Sequence, residues 1–266
     1  MPIAPLNTGI KMGYDTRGEG EDLILIPGTG GTDHTWIYQI DAFQAAYRCT
    51  TFDLRGAGRS DRPGGDYTVA LLADDVRALM DHMGIAKAHL AGWSLGGAIA
   101  MEFGLTYPER VKSLSLHSTW GGTDRWLRIR FEATRFLLLH APNELYRAYR
   151  RWLVFSRGAL ESGLAEKLDA SGTSPGGDKE AKARLYDADI NHNATSRLSQ
   201  IRAPTLVTHG EVDNALPVRY GDEVHRLISG SVYHLFRGEG ASHSVLMERP
   251  EEFNTAQLDF LKRSRA

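Results

Sequence analysis

The chain has 266 residues, 42% of them hydrophobic and 24% charged, with a formal net charge of -2 at pH 7; this suits one α/β sheet with a modest insertion. Lys and Arg (31) nearly cancel Asp and Glu (33), so no global field would hold the chain on nucleic acid or an anionic membrane, and neither partner is expected. No stretch approaches the roughly 18 apolar residues of a membrane span, and Met1-Pro2-Ile3-Ala4-Pro5 lacks a basic region followed by an apolar core, so a cytoplasmic location is expected.

Short apolar runs alternate with helix-length amphipathic stretches, which predicts a mostly parallel sheet covered on both faces. In such sheets ligands bind beyond the carboxyl ends of the strands, so the loops after the runs are where chemistry is to be sought. The first run, Leu23 to Ile26, leads into Pro27-Gly28-Thr29-Gly30-Gly31. That turn lacks the Lys and Ser or Thr of a Walker loop and the spacing of a dinucleotide fingerprint, so phosphate is not its expected ligand. His34 and Gly28, at and just past the turn, are expected to line a pocket. The second run, Cys49 to Phe52, holds the single cysteine, read as a buried small apolar residue.

The third run, Ala88 to Ala91, is followed by Gly92-Trp93-Ser94-Leu95-Gly96-Gly97 and then the helical stretch Ala98 to Phe103. This is a GxSxG pattern where a strand, a sharp turn and a helix meet. The turn strains the backbone at Ser94, and side chains two residues to either side would collide with neighbouring elements, hence the glycines. Ser94 is the candidate nucleophile. Oxyanion stabilisation needs preorganised donors, and the backbone amides of Thr29 and Leu95 are the candidates. Trp93 and Trp120, with Trp36, are expected near the pocket.

After the run Ser113 to His117 the alternation breaks. From about Gly121 to Arg202 no strand is predicted, and Trp, Arg and Leu recur at helical spacing. The expected organisation is a core of residues 1–120 and 203–266 with a helical cap of residues 121–202. A flexible loop is expected at the polar stretch Ser171 to Asp178. Between Arg125 and Arg157 the cap holds eight arginines, no lysine and two glutamates. That excess reads either as attraction for a carboxylate-bearing or carrier-linked substrate or as a solvated helix face, with Phe131, Phe136, Leu138, Tyr146 and Trp152 giving the cap an apolar side.

A serine hydroxyl needs a base to take its proton. Of the ten histidines, His243 stands in the Gly-rich loop Gly238 to His243 after the last run, Val232 to Phe236, and is the candidate. His34, near the glycine loop after the first run, is its one rival, and the others sit in apolar runs or in segments without a loop signature. An orienting carboxylate is expected after a strand between serine and histidine. Asp213 follows the run Thr205 to His209 and fits, with Glu211 as its rival. The histidines show no ligand spacing, so neither a metal site nor a cofactor is expected.

These motifs, together with Asp53-Leu54-Arg55-Gly56-Ala57-Gly58-Arg59-Ser60 and Tyr107-Pro108-Glu109-Arg110-Val111, resemble the α/β-hydrolase superfamily. The similarity is to its cap-bearing branch of esterases, enol-lactone hydrolases, cofactor-free haloperoxidases and carbon–carbon bond hydrolases. The resemblance implies an α/β-hydrolase fold and a serine hydrolase that cleaves a small-molecule ester or lactone through an acyl-enzyme. Asp53 and Arg55 look like turn-fixing residues.

Within that branch the residues discriminate. Epoxide hydrolases and haloalkane dehalogenases carry Asp at the elbow, where this chain has Ser94. Carbon–carbon hydrolases usually carry a Trp just past the histidine, where this chain reads Ser244-Val245-Leu246-Met247. Haloperoxidases tend to an aromatic residue at the oxyanion turn, here Thr29. Some members of the fold bind a small molecule without turnover, but the complete Ser94, Asp213 and His243 set favours an enzyme. Oligomeric state is not legible in the sequence.

Overall fold

The computed structural model describes residues 2–172 and 178–264. Its eight strands are β1 (Ile3–Pro5), β2 (Lys11–Arg17), β3 (Glu21–Ile26), β4 (Tyr47–Phe52), β5 (Ala88–Trp93), β6 (Val111–His117), β7 (Thr205–Gly210) and β8 (Val232–Phe236). They form one sheet in the order β1-β2-β4-β3-β5-β6-β7-β8. β2 runs antiparallel to β1 and to β4, and every other pairing is parallel. All six predicted runs are strands. β1 and β2 were not predicted from the sequence: in Lys11-Met12-Gly13-Tyr14-Asp15-Thr16-Arg17 just Met12 and Gly13 are buried, so no apolar run marks the strand.

Helices α1 (Ile40–Phe43), α2 (Val69–His82) and α3 (Leu95–Thr106) lie in the first half of the chain. Five more, α4 (Arg125–His140), α5 (Asn143–Val154), α6 (Arg157–Glu161), α7 (Leu164–Gly172) and α8 (Lys179–Asn191), separate β6 from β7. After them come α9 (Arg219–Leu227), α10 (Val245–Glu248) and α11 (Pro250–Arg263). The period of two along β3 divides the core. Ile24 and Ile26 join the apolar cluster that includes α2 and α3, while Leu23 and Leu25 join the one that includes α1 and α11. Cys49 is buried in the second cluster, and burial pushes its thiol up to about 12.

The α4–α8 insertion leaves and re-enters the core at one neck. Thr123 N donates to His192 O (2.9 Å) and Ala194 N to Gly121 O (2.8 Å), around a bridge between Gly122 and Asn193. Asp124 starts α4 by accepting from Leu127 N at 2.9 Å, and Asp178 starts α8 by accepting from Glu180 N and Ala181 N. α4 packs along α8. The loop expected over residues 171–178 falls mostly outside the described residues.

Candidate active site

β5 passes into α3 through Ser94, whose φ of 57° and ψ of -119° lie where a side chain is disfavoured. Hydrogen bonds hold the strained residue: Ser94 N donates to His117 O (2.9 Å), and Ser94 O accepts from Gly97 N (2.9 Å), Ala98 N (3.3 Å) and Thr119 Oγ1 (2.9 Å). The flanking glycines are required by close approach. A Cβ on Gly92 would lie 2.1 Å from Gly96 O, and one on Gly96 would lie 2.2 Å from Ile26 O, both backbone atoms.

The turn after β3 runs beside the serine, so that a Cβ on Gly28 would lie 3.3 Å from Ser94 Cβ. The amides of Thr29, in that turn, and Leu95, opening α3, have no acceptor among the described residues. Donors left free next to a strained serine are what a developing oxyanion requires.

His243 follows β8, and its Nδ1 lies 2.7 Å from Asp213 Oδ2. Nδ1–H is thus the donor to the carboxylate, which leaves Nε2 as the basic nitrogen. Asp213 Oδ1 accepts from Ala215 N (2.8 Å) and Leu216 N (2.7 Å). Burial works against ionisation of Asp213. The His243 charge, hydrogen bonds from His209 and His243, and the His209 charge outweigh it and hold the carboxyl below the usual carboxylate range. His209 Nε2 is 3.4 Å from Asp213 Oδ2 and bonds Leu216 O at 2.6 Å. Trp93 fixes the histidine loop from the other side: its Nε1 donates to His243 O (2.9 Å), and the two ring centroids are 5.1 Å apart.

Thr29, Trp93, Ser94 and His243 line one cavity of about 520 Å³, roofed by Phe131, Leu138 and Tyr146 from the insertion. Three expected pocket residues do not line it. Gly28 stands behind Trp93 and Ser94, where a Cβ would lie 3.0 Å from the Trp93 ring. His34 is 52% exposed and bonds Asp33 Oδ1 through Nδ1 at 2.8 Å, because the short helical turn at Asp33–Trp36 buries Thr35 and Trp36 and turns His34 outward. Trp120 is fully buried behind the cavity wall, its ring centroid 5.2 Å from that of Phe131 and its Nε1 bonded to Thr123 Oγ1 at 2.8 Å. Trp36 packs in the core on His117 and Phe253. Glu211, the rival acid, fixes a loop by accepting from Arg237 Nη1 and Gly238 N, each at 2.9 Å.

The sequence did not single out Arg130, Lys182 or Tyr186, which line the same cavity, or Asp189, which accepts from Thr29 Oγ1 at 2.8 Å. The arginine excess was visible, but which of those side chains face inward depends on how the helices dock. His117 and His192 are buried, and burial lowers them to about 3 and about 4, so both are neutral and structural. Among the described residues no group of three or more His, Cys, Asp or Glu is placed to hold a metal ion, and no helix is long and apolar enough to cross a membrane.

A family model for the alpha/beta hydrolase fold matches residues 23–250. The chain belongs to the α/β-hydrolase family. This hydrolase is 32% identical over 254 residues to the RutD protein of Azorhizobium caulinodans, whose name assigns it carbamate hydrolysis, with 93% of each chain covered. It is 33% identical over 259 residues to BpoC of Mycobacterium tuberculosis, named as a non-heme bromoperoxidase, covering 94% of this chain and 97% of that one. Its fold superposes on the enol-lactonase of Burkholderia xenovorans LB400 with a TM-score of 0.90 at 24% identity, covering 98% and 100% of the two chains. Relatives named for such different reactions make the family secure and leave the substrate to be argued from the site.

Proposed function

We propose that this hydrolase cleaves a carboxylic ester or lactone through an acyl-enzyme on Ser94. The observation that carries the reading is the meeting, in the lining of one cavity, of a strained Ser94, Thr29 and His243, with Asp213 bonded to His243 from behind and the Leu95 amide next to Ser94 in the chain. Ser94 Oγ bonds to the substrate carbonyl carbon while His243 Nε2 takes the hydroxyl proton. The carbonyl oxygen becomes an oxyanion and accepts from the two amides. The carbon–oxygen bond to the leaving alcohol then breaks, and His243 returns the proton to that alcohol. Water repeats the sequence: His243 takes its proton, the hydroxide adds to the acyl carbon, and the carboxylic acid leaves as Ser94 regains its proton. Asp213 holds the imidazole in the required tautomer and stabilises the imidazolium. No cofactor enters the scheme, and the partner is a small molecule.

The test is intact mass after treatment with a fluorophosphonate, on wild type and Ser94→Ala, beside turnover of a series of p-nitrophenyl esters. One adduct on wild type, none on the variant and sustained turnover are expected. Absence of an adduct on wild type would replace this reading with that of a binding protein.

A further inference from the structure

Of the eight arginines between Arg125 and Arg157, Arg125, Arg128 and Arg147 hold no ion pair among the described residues, Arg147 at an exposed position of the cavity rim, and four others are paired. Arg150 and Arg151 pair with Asp169, Arg135 with Asp187 and Arg157 with Glu161. Arg130 differs. It stands on α4 in the wall of the Ser94 cavity, its guanidinium carbon 3.9 Å from the centroid of the Phe131 ring. Its Nε is buried without an acceptor, and no carboxylate reaches ion-pair distance among the described residues. Burial pulls it down from its ordinary value against the weaker pull of Tyr186, Asp189, Asp213 and Tyr149. A half-buried cation whose Nε is shielded and unpaired in a cavity wall is costly, and a protein keeps one where a ligand supplies the anion.

We infer that the cavity over Ser94 receives a substrate bearing a carboxylate besides its scissile ester, and that the Arg130 guanidinium, seconded by Lys182, binds that carboxylate. The inference rests on Ser94 being the nucleophile. Lys182 lines the same cavity from α8, and its stem lies against the oxyanion turn, where a Cβ on Gly30 would be 2.7 Å from Lys182 Cε. Lys182 Nζ stands 5.5 Å from the centroid of the Tyr146 ring. Burial would raise Tyr146, yet the Lys182 and Arg150 charges, with hydrogen bonds from Tyr186 and Lys182, bring it below its ordinary value. Asp189 does not neutralise these charges, since burial pushes its carboxyl up to about 8 and keeps it protonated at neutral pH. The planar guanidinium matches a carboxylate with two parallel hydrogen bonds, which an ammonium cannot do.

The experiment compares mono-p-nitrophenyl glutarate with p-nitrophenyl pentanoate on wild type, Arg130→Met and Arg130→Lys. Wild type should prefer the glutarate half-ester. Arg130→Met should lower kcat/KM on it about tenfold to a hundredfold, mostly through KM, and change the pentanoate by less than about threefold. Arg130→Lys, which keeps the charge and loses the fork, should fall between, and it decides the matter alone if the Met variant does not fold. Equal losses on both esters would make Arg130 a structural residue stacked on Phe131 and overturn the inference. If wild type hydrolyses neither ester, the esterase reading falls separately, and glutarate itself decides. A glutarate-dependent rise in Tm in wild type, absent in Arg130→Met, supports the anion site; no rise in wild type overturns it.

Discussion

The Thr29 hydroxyl donates to Asp189 Oδ2 across 2.8 Å, tying the oxyanion turn after β3 to cap helix α8. Lys182, Tyr186 and Asp189 share one face of that helix, so the element that carries a cavity cation also fixes the turn that carries the candidate oxyanion donor. Thr29 and Asp189 are 160 positions apart in the chain. Docking of the cap is therefore part of assembling the site.

Asp189 should give the stability curve a distinctive slope. Its folded-state carboxyl is raised to about 8 by burial, against the Thr29 bond and Arg130, while in the unfolded chain it ionises near about 4. The stability that comes with the protonated form is complete below about pH 4 and lost as pH rises toward 8. Asp189→Asn keeps the acceptor for Thr29 and cannot ionise. Denaturation of both proteins from pH 4 to 8 should show the variant gaining on wild type by about 1.4 kcal/mol per pH unit. Parallel curves would mean that Asp189 is ionised in the native state.

Asp213→Asn should leave the fold intact and remove most of the turnover. An asparagine oxygen can still accept from Ala215 N and Leu216 N, which bond Oδ1 in the wild type. Its NH₂ group then faces His243 Nδ1, forcing that nitrogen to accept and placing the imidazole proton on Nε2, where a base is needed. The expected loss in kcat is about 10³- to 10⁴-fold with an unchanged melting temperature. A loss below tenfold would remove Asp213 from the mechanism.

The candidate residues Ser94, Asp213 and His243 were legible because each stands in a loop directly after an apolar run, where an α/β sheet places its ligands. Ser94 had glycine punctuation as well, and Asp213 and His243 had the fold's chain order. Side-chain direction was less legible. His34 and Trp120 adjoin the site in sequence, but a single helical turn at Asp33–Trp36 and the neck at Gly122 face them away from the cavity. Arg130 was hidden for another reason: arginines occur all around α4, and its packing on α8, a tertiary event, decides which one enters the cavity wall. β2 was illegible because its residues are polar and half-exposed.

Gly96→Ala tests the close approach at the elbow. The added methyl would meet Ile26 O at 2.2 Å, and neither backbone can yield without moving β3 or α3. A loss of more than about 3 kcal/mol in the denaturant midpoint is expected, with loss of activity. Gly64→Ala is the matched control, since nothing lies within 4 Å of its Cβ position, and it should stay within about 0.5 kcal/mol of wild type. Similar midpoints for the two variants would refute the packing argument.

Arg55 and Asp75 form a buried, two-pronged ion pair, Nε to Oδ2 at 2.8 Å and Nη2 to Oδ1 at 2.7 Å, that fastens the loop after β4 to α2. Thr8 Oγ1 adds a third bond to Asp75 at 2.6 Å. The pair's mutual attraction is largely offset by the desolvation of both charges, so its main energetic consequence appears when one partner is removed. Asp75→Ala leaves Arg55 charged, buried and unpaired, and should cost about 3–5 kcal/mol. The double variant Arg55→Met, Asp75→Leu removes both charges and fills the space, so it should recover most of that loss. Urea denaturation of the three variants and wild type checks the order. If the double variant is as unstable as Asp75→Ala, the pair contributes through its geometry rather than through the stranded charge, and the loop after β4 depends on those two hydrogen bonds themselves.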